Sequence, residues 1–162
     1  MQTILIPSNF NISALDCIPD LCEQFQNEKL NVIFIHMFKL SDSISELLLL
    51  SRRSREFEMV GDDFYKGCSQ LKAQYPQIEG IRVEFLYGST LSMFRNFLDA
   101  NEVSAVFEPE SRFMEKIHKY SIDPTVLVLK SGLPVVRLRK KIIQLKKEPV
   151  LSAKREAALA EV

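Results

Sequence analysis

Apolar residues along this chain come in two rhythms, short β-branched runs and longer stretches with steps of three and four, and they alternate from the N-terminus onward. The first run, residues 3–8 (TILIPS), is stopped by Pro7 and predicts a strand. In NISALDCIPDLCEQF, which follows, Ala14, Ile18, Leu21, Cys22 and Phe25 recur at helical spacing. Pro19 falls inside that pattern, so the segment is expected either to kink or to start its helix late, with Pro19 in the first turn. Residues 31–38 (NVIFIHMF) are almost continuously apolar, as in a central strand covered on both faces.

A long polar and apolar mixture comes next. Ser43 and Glu46 form a capping box, and Phe57, Val60, Phe64, Cys68, Leu71 and Tyr75 give one apolar stripe on a helix that ends before Pro76. Gly61 and Gly67 weaken that helix and mark a bend. Residues 81–88 place Ile81, Val83, Phe85 and Tyr87 on one face against Arg82 and Glu84 on the other, which predicts an edge strand. A helix capped by Ser89 or Thr90 follows, with Leu91, Phe94, Phe97 and Leu98 inward, then a strand at SAVFE. Phe113, Ile117 and Tyr120 mark another helical piece, and SIDPTVLVLKSG reads as a short helix stopped by Gly132. Residues 133–138 (Leu133, Pro134, Val135, Val136, Arg137 and Leu138) make a fifth strand.

Alternation of this kind predicts an α/β fold, a parallel sheet with right-handed crossovers and helices on both faces. At 162 residues, 46% of them hydrophobic, the chain is long enough for one domain with its own core. No apolar run reaches the length of a membrane span, and MQTILIPSNF enters a strand without a basic region or cleavage site, so a cytoplasmic protein is expected. The three cysteines read as small buried apolar groups. Net charge is zero, but residues 137–162 carry eight Lys and Arg against three Glu, a net +5, which leaves −5 on the rest. The expected organisation is thus a domain over residues 1–138 and a basic tail over 139–162, helical or disordered. That tail has no aromatic residue for base stacking, which disfavours nucleic acid; its own body or a second subunit is the better partner.

Several segments together resemble the universal stress proteins: ILIPSNFN at the start, IFIHMF in the second strand, YGST before a helix, and SGLPVVRL at the end of residues 2–138. The resemblance implies a Rossmann-like three-layer sandwich of the adenine nucleotide alpha hydrolase type, its five parallel strands ordered 3-2-1-4-5. It also implies a ligand crevice where the chain reverses direction between the first and fourth strands, and a two-fold dimer.

Many members of that family hold ATP in the crevice with an Asp after the first strand and a glycine-rich pattern after the fourth. Here Asn9 stands in the Asp position and residues 107–127 contain no glycine. Without glycine, backbone amides cannot approach phosphates closely. Glu108 and Glu110 add like charges at the same place, with Arg112 and Lys116 near enough in sequence to neutralise them. The candidate crevice residues are Pro7, Ser8, Asn9, Phe38, Glu108 and Ser111, with Asn9 available to a polar ligand.

His36 reads as a hydrogen-bonded core histidine and His118 as a surface one, neither beside metal-ligand spacings, and Asp62 and Asp63 read as solvated helix charges. No nucleophile elbow, phosphate loop or Cys-x-x-Cys pair is present. The expectation is therefore a non-enzymatic, stress-related domain without cofactor or standard ATP binding. It would act through a homodimer formed at the fifth strand, at the sheet edge, and through other protein contacts. The alternative is a nucleotide or small-molecule sensor with a non-standard loop.

Overall fold

A computed structural model describes residues 1–39, 60–108 and 121–137. The expected capping box at Ser43 and Glu46, Phe57, the helical piece around Phe113 and Ile117, Ser111, His118, Leu138 and the basic tail lie outside them.

The described chain runs β1 (Gln2–Pro7), a 3-10 turn (Ile12–Cys17), α1 (Ile18–Gln24), β2 (Leu30–Phe38), α2 (Asp62–Gln74), β3 (Ile78–Tyr87), α3 (Leu91–Ala100), β4 (Ala105–Phe107), α4 (Thr125–Leu129) and β5 (Val135–Val136). All five strands are parallel, in the order β3-β2-β1-β4-β5. Such an order needs a crossover between every pair of consecutive strands, and helices on opposite faces supply the two outer layers.

On one face Phe10, Leu15, Ile18, Leu21, Phe64 and Cys68 pack against Ile4, Ile6, Val32 and Phe34 of the sheet. On the other, Phe94 and Leu98 of α3 and Val128 of α4 cover Leu5, Ile33, Ile35, Met37 and Val106. The alternation of β1 and β2 thus sends neighbouring residues into two different cores. β2 is buried along nearly its whole length, as its unbroken apolar run requires.

Local chemistry explains the ends. Pro19 lies at the start of α1, where a missing amide costs nothing, so the first segment is a 3-10 turn joined to a late helix. Thr90 caps α3 by accepting a hydrogen bond from the Met93 amide. Gly132 takes φ +86° after α4, a conformation that a Cβ would oppose.

The long apolar stripe needs a correction. Gly61 is extended and caps α2, so Val60 lies before the helix although it is buried, and Gly61 is a start signal and not a bend. Asp62 and Asp63 occupy the first turn, where acidic groups meet the positive end of the helix dipole. Gly67 is the point of close packing: a Cβ there would come within 2.5 Å of Leu15 Cδ1. β5 is shorter than expected, two residues, because Pro134 has no amide to extend the ladder backwards.

Candidate functional site

The switch point of the sheet lies between β1 and β4, and the turn after β1 forms one wall of it. Ser8 is buried, and its Oγ accepts from the Phe10 amide at 2.9 Å. Asn9 Oδ1 accepts from the Asn11 amide at 3.0 Å, and Asn11 Oδ1 accepts from the Ser13 amide at 3.0 Å. Three amides that could face an anion are therefore held by side chains of the same turn. Phe10 sits at φ 63°, a rare conformation for a bulky residue. Its ring compensates by packing edge-on against Phe64 and Phe85, with centroids 5.7 and 5.3 Å away.

Residues 121–124 cross the other side of the opening. The last rung from β1 to β2 is Ser8 N to Ile35 O, at 2.8 Å. Two residues further on, the Met37 carbonyl accepts from the Ile122 amide at 3.0 Å, and Ser121 bridges Phe38 in an antiparallel sense. This strap thus takes the place beside β2 that β1 gives up. Asp123 accepts from the Thr125 amide and hydroxyl, turning the strap into α4.

His36 joins the two walls. Its Nδ1 lies 2.7 Å from the Ser8 carbonyl and its Nε2 lies 2.7 Å from Ser121 Oγ. A carbonyl only accepts, so Nδ1 carries the proton and Nε2 accepts from the Ser121 hydroxyl. Burial holds the ring pKa below its ordinary value of 6.5, partly opposed by the Ser8 carbonyl. Phe10 and Phe38 flank the ring at centroid distances of 5.9 and 5.0 Å. Pro7, Ser8, Ile35, His36, Met37, Ile122 and Pro124 line a partly open cavity of about 10 Å³, close to the smallest space that holds one water molecule.

Of the sequence-predicted crevice residues, Pro7 and Ser8 line this cavity, and Asn9 is engaged with its own turn. Phe38 lies below it, fully buried, stacked on Phe85 and Tyr87. Glu108 is ion-paired with Arg137, directly across β4 and β5. Glu110, Ser111, Arg112 and Lys116 lie outside the described residues. Sequence reasoning missed Ser121, Ile122 and Pro124, whose Ser-Ile-Asp-Pro pattern reads as a helix start and gives no sign of a partner in β2.

Among the described residues no three His, Cys, Asp or Glu side chains come together as a metal site. Cys17, Cys22 and Cys68 are free thiols, and burial pushes Cys68 up to about 11, which makes it inert as a nucleophile near neutral pH. No described helix is long and apolar enough to cross a membrane.

No family model and no curated protein matches this chain. Solved structures do. Universal stress protein UspA from Lactobacillus plantarum superposes with a TM-score of 0.53 at 14% identity, over 85% of this chain and 97% of that one. A protein from the universal stress protein family of Burkholderia pseudomallei gives 0.50 at 11% identity, over 86% and 96%. With its β3-β2-β1-β4-β5 sheet and near-complete coverage of those structures, this chain has the Rossmann-like α/β fold of the universal stress proteins.

Proposed function

We propose that this chain is a divergent, non-enzymatic universal stress protein-like domain, stress-related in its role, that acts by self-association and protein contacts and does not hold ATP in the standard way. The observation that carries the reading is the turn after β1: its amides are capped by Ser8, Asn9 and Asn11, and among the described residues the space between Ser8, His36 and the strap is a small cavity of about 10 Å³. The lack of any glycine in residues 107–127 supports it. A triphosphate would have to displace internal hydrogen bonds of this turn.

β5 supplies the self-association surface. Pro134 and Val136 turn their carbonyls towards β4, accepting from Val106 and Glu108, so the amide and carbonyl of Val135 between them point to the open edge. Among the described residues no strand pairs beyond β5, and an edge of this kind is a template for a second copy. The substitution that tests it is Val135→Pro, which removes an outward amide and keeps the inward ladder. Wild-type chain is expected to sediment as a dimer and the variant as a monomer with an unchanged far-UV spectrum; a variant that stays dimeric overturns the interface.

Thermal unfolding with ATP, AMP and cyclic nucleotides tests the crevice. A ligand at 100 times its Kd would raise Tm by about 5–10 °C. No shift is expected with ATP. A shift of that size with ATP overturns the reading, and one with AMP or a cyclic nucleotide alone favours a small-molecule sensor.

A further inference from the structure

β3 borders the sheet on the side opposite β5, and among the described residues no strand pairs beyond it. Its pairing with β2 runs in one unbroken register from Gly80 to Tyr87. At the end of that register the Gly88 amide donates to the Phe38 carbonyl, so Leu86, Glu84 and Arg82 also turn their amides and carbonyls towards β2. Ile81, Val83 and Phe85 turn theirs to the open edge. The side chains of these three lie over the core that α1 and α2 cover and are only half-buried. Arg82 and Glu84 stand on the opposite face, with side chains 52% and 39% exposed.

Charges on an edge strand ordinarily discourage a second strand from pairing with it. Here their order is self-complementary. When two copies pair antiparallel about a two-fold axis, residues equally far before and after the axis lie opposite each other, and hydrogen bonding requires outward residues to meet outward residues. An axis at Arg82 or at Glu84 would set that charge against its own copy. An axis at Val83 sets Arg82 against Glu84 twice, Ile81 against Phe85 twice, and Val83 against itself. Ile81, Val83 and Phe85 then exchange backbone hydrogen bonds across the axis, and their half-buried side chains meet on one face. Arg82 and Glu84 take the non-hydrogen-bonded positions, where Cα atoms are only about 4.5 Å apart and side chains come closest. Within one copy Arg82 Nε already lies 3.1 Å from Glu84 Oε2, so the four groups of a pair of copies form a patch of alternating sign.

We propose that the β3 edge is a second self-association surface, on which two copies of this chain pair antiparallel about Val83 and join their sheets.

This surface does not rest on the β5 interface; with β5 paired as well, it would link dimers end to end. The contact is small, about five residues a side with its ion pairs in solvent, so its Kd is expected at about 0.1–1 mM. At about 10 μM the Val135→Pro chain is therefore monomeric.

Sedimentation equilibrium of that Val135→Pro chain, whose β5 edge is blocked, tests the proposal. Its mass should rise from monomer at about 10 μM towards dimer at about 1 mM. Adding Val83→Pro, which removes an outward amide and keeps the ladder to β2, should leave it monomeric throughout. Arg82→Glu and Glu84→Arg, each alone, set like charges opposite each other and should weaken association by at least about tenfold; an equimolar mixture of the two restores opposite charges and should restore association. The comparison of mixed with separate samples reads β3 alone, whether or not β5 pairs, and it stands even if the proline variant fails to fold. Residue-resolved amide exchange of the monomer should show Ile81, Val83 and Phe85 exchanging faster than Arg82 and Glu84. A chain still monomeric at about 1 mM, or a mixture that associates no better than its components, would overturn the proposal. So would a protected Val83 amide in the monomer, since another part of the same chain would then cover the edge.

Discussion

The two sides of β1 are built very differently. Towards β2 and β3 the strands are nine and ten residues long and the rings of Phe10, Phe34, Phe38, Phe64 and Phe85 pack against one another. Towards β4 and β5 they shrink to three and two residues, and the outermost cross-strand side-chain contact is an exposed ion pair, Glu108 to Arg137. The first side has ample buried apolar area to hold a fold. On the second, the strands are short although β4 is buried along its length, and among the described residues no strand pairs beyond β5. A sheet can thus concentrate its long strands and its aromatic packing on one side of its first strand.

Core truncation should separate the two sides most sharply. Phe64 is fully buried between Phe10 and Phe34, so Phe64→Ala should lower the unfolding free energy by about 3–5 kcal/mol in urea titration. Val136→Ala, on the thin side, removes two methyl groups and should cost about 1.5 kcal/mol. Equal losses would erase the distinction. Ser8→Ala sharpens the view of the junction between the sides: it leaves the buried Phe10 amide without an acceptor at a strained φ, and should cost about 1–3 kcal/mol by the same titration. The smallest effect belongs to Glu108→Gln. Its partner Arg137 is two-thirds exposed, so solvent screens the pair and the midpoint should move by less than about 1 kcal/mol. A larger loss would show that the thin side relies on this ion pair.

Much of the fold was legible along the chain because its signals are local. Period-two and period-3.6 patterns, Pro19 at a helix start, Thr90 as a cap and Gly132 as a stop each act within a few residues. The expected crevice at the end of β1, with Pro7 and Ser8, came instead from the resemblance to the universal stress proteins and not from a local signal. Gly61 was harder, since an apolar stripe continues through Val60 and only the extended backbone shows that the helix has not begun.

The sequence by itself determined the alternation of strands and helices, the buried second strand and the absence of a glycine cradle after the fourth. Only the tertiary structure decided that His36 meets Ser121, 85 residues away, and that Glu108 meets Arg137, 29 away. Hydrogen bonds and ion pairs of that reach carry no periodic trace in the chain: which polar groups become neighbours depends on the order in which strands assemble and on where β1 stops, leaving the Met37 carbonyl to be satisfied by whichever segment passes over it.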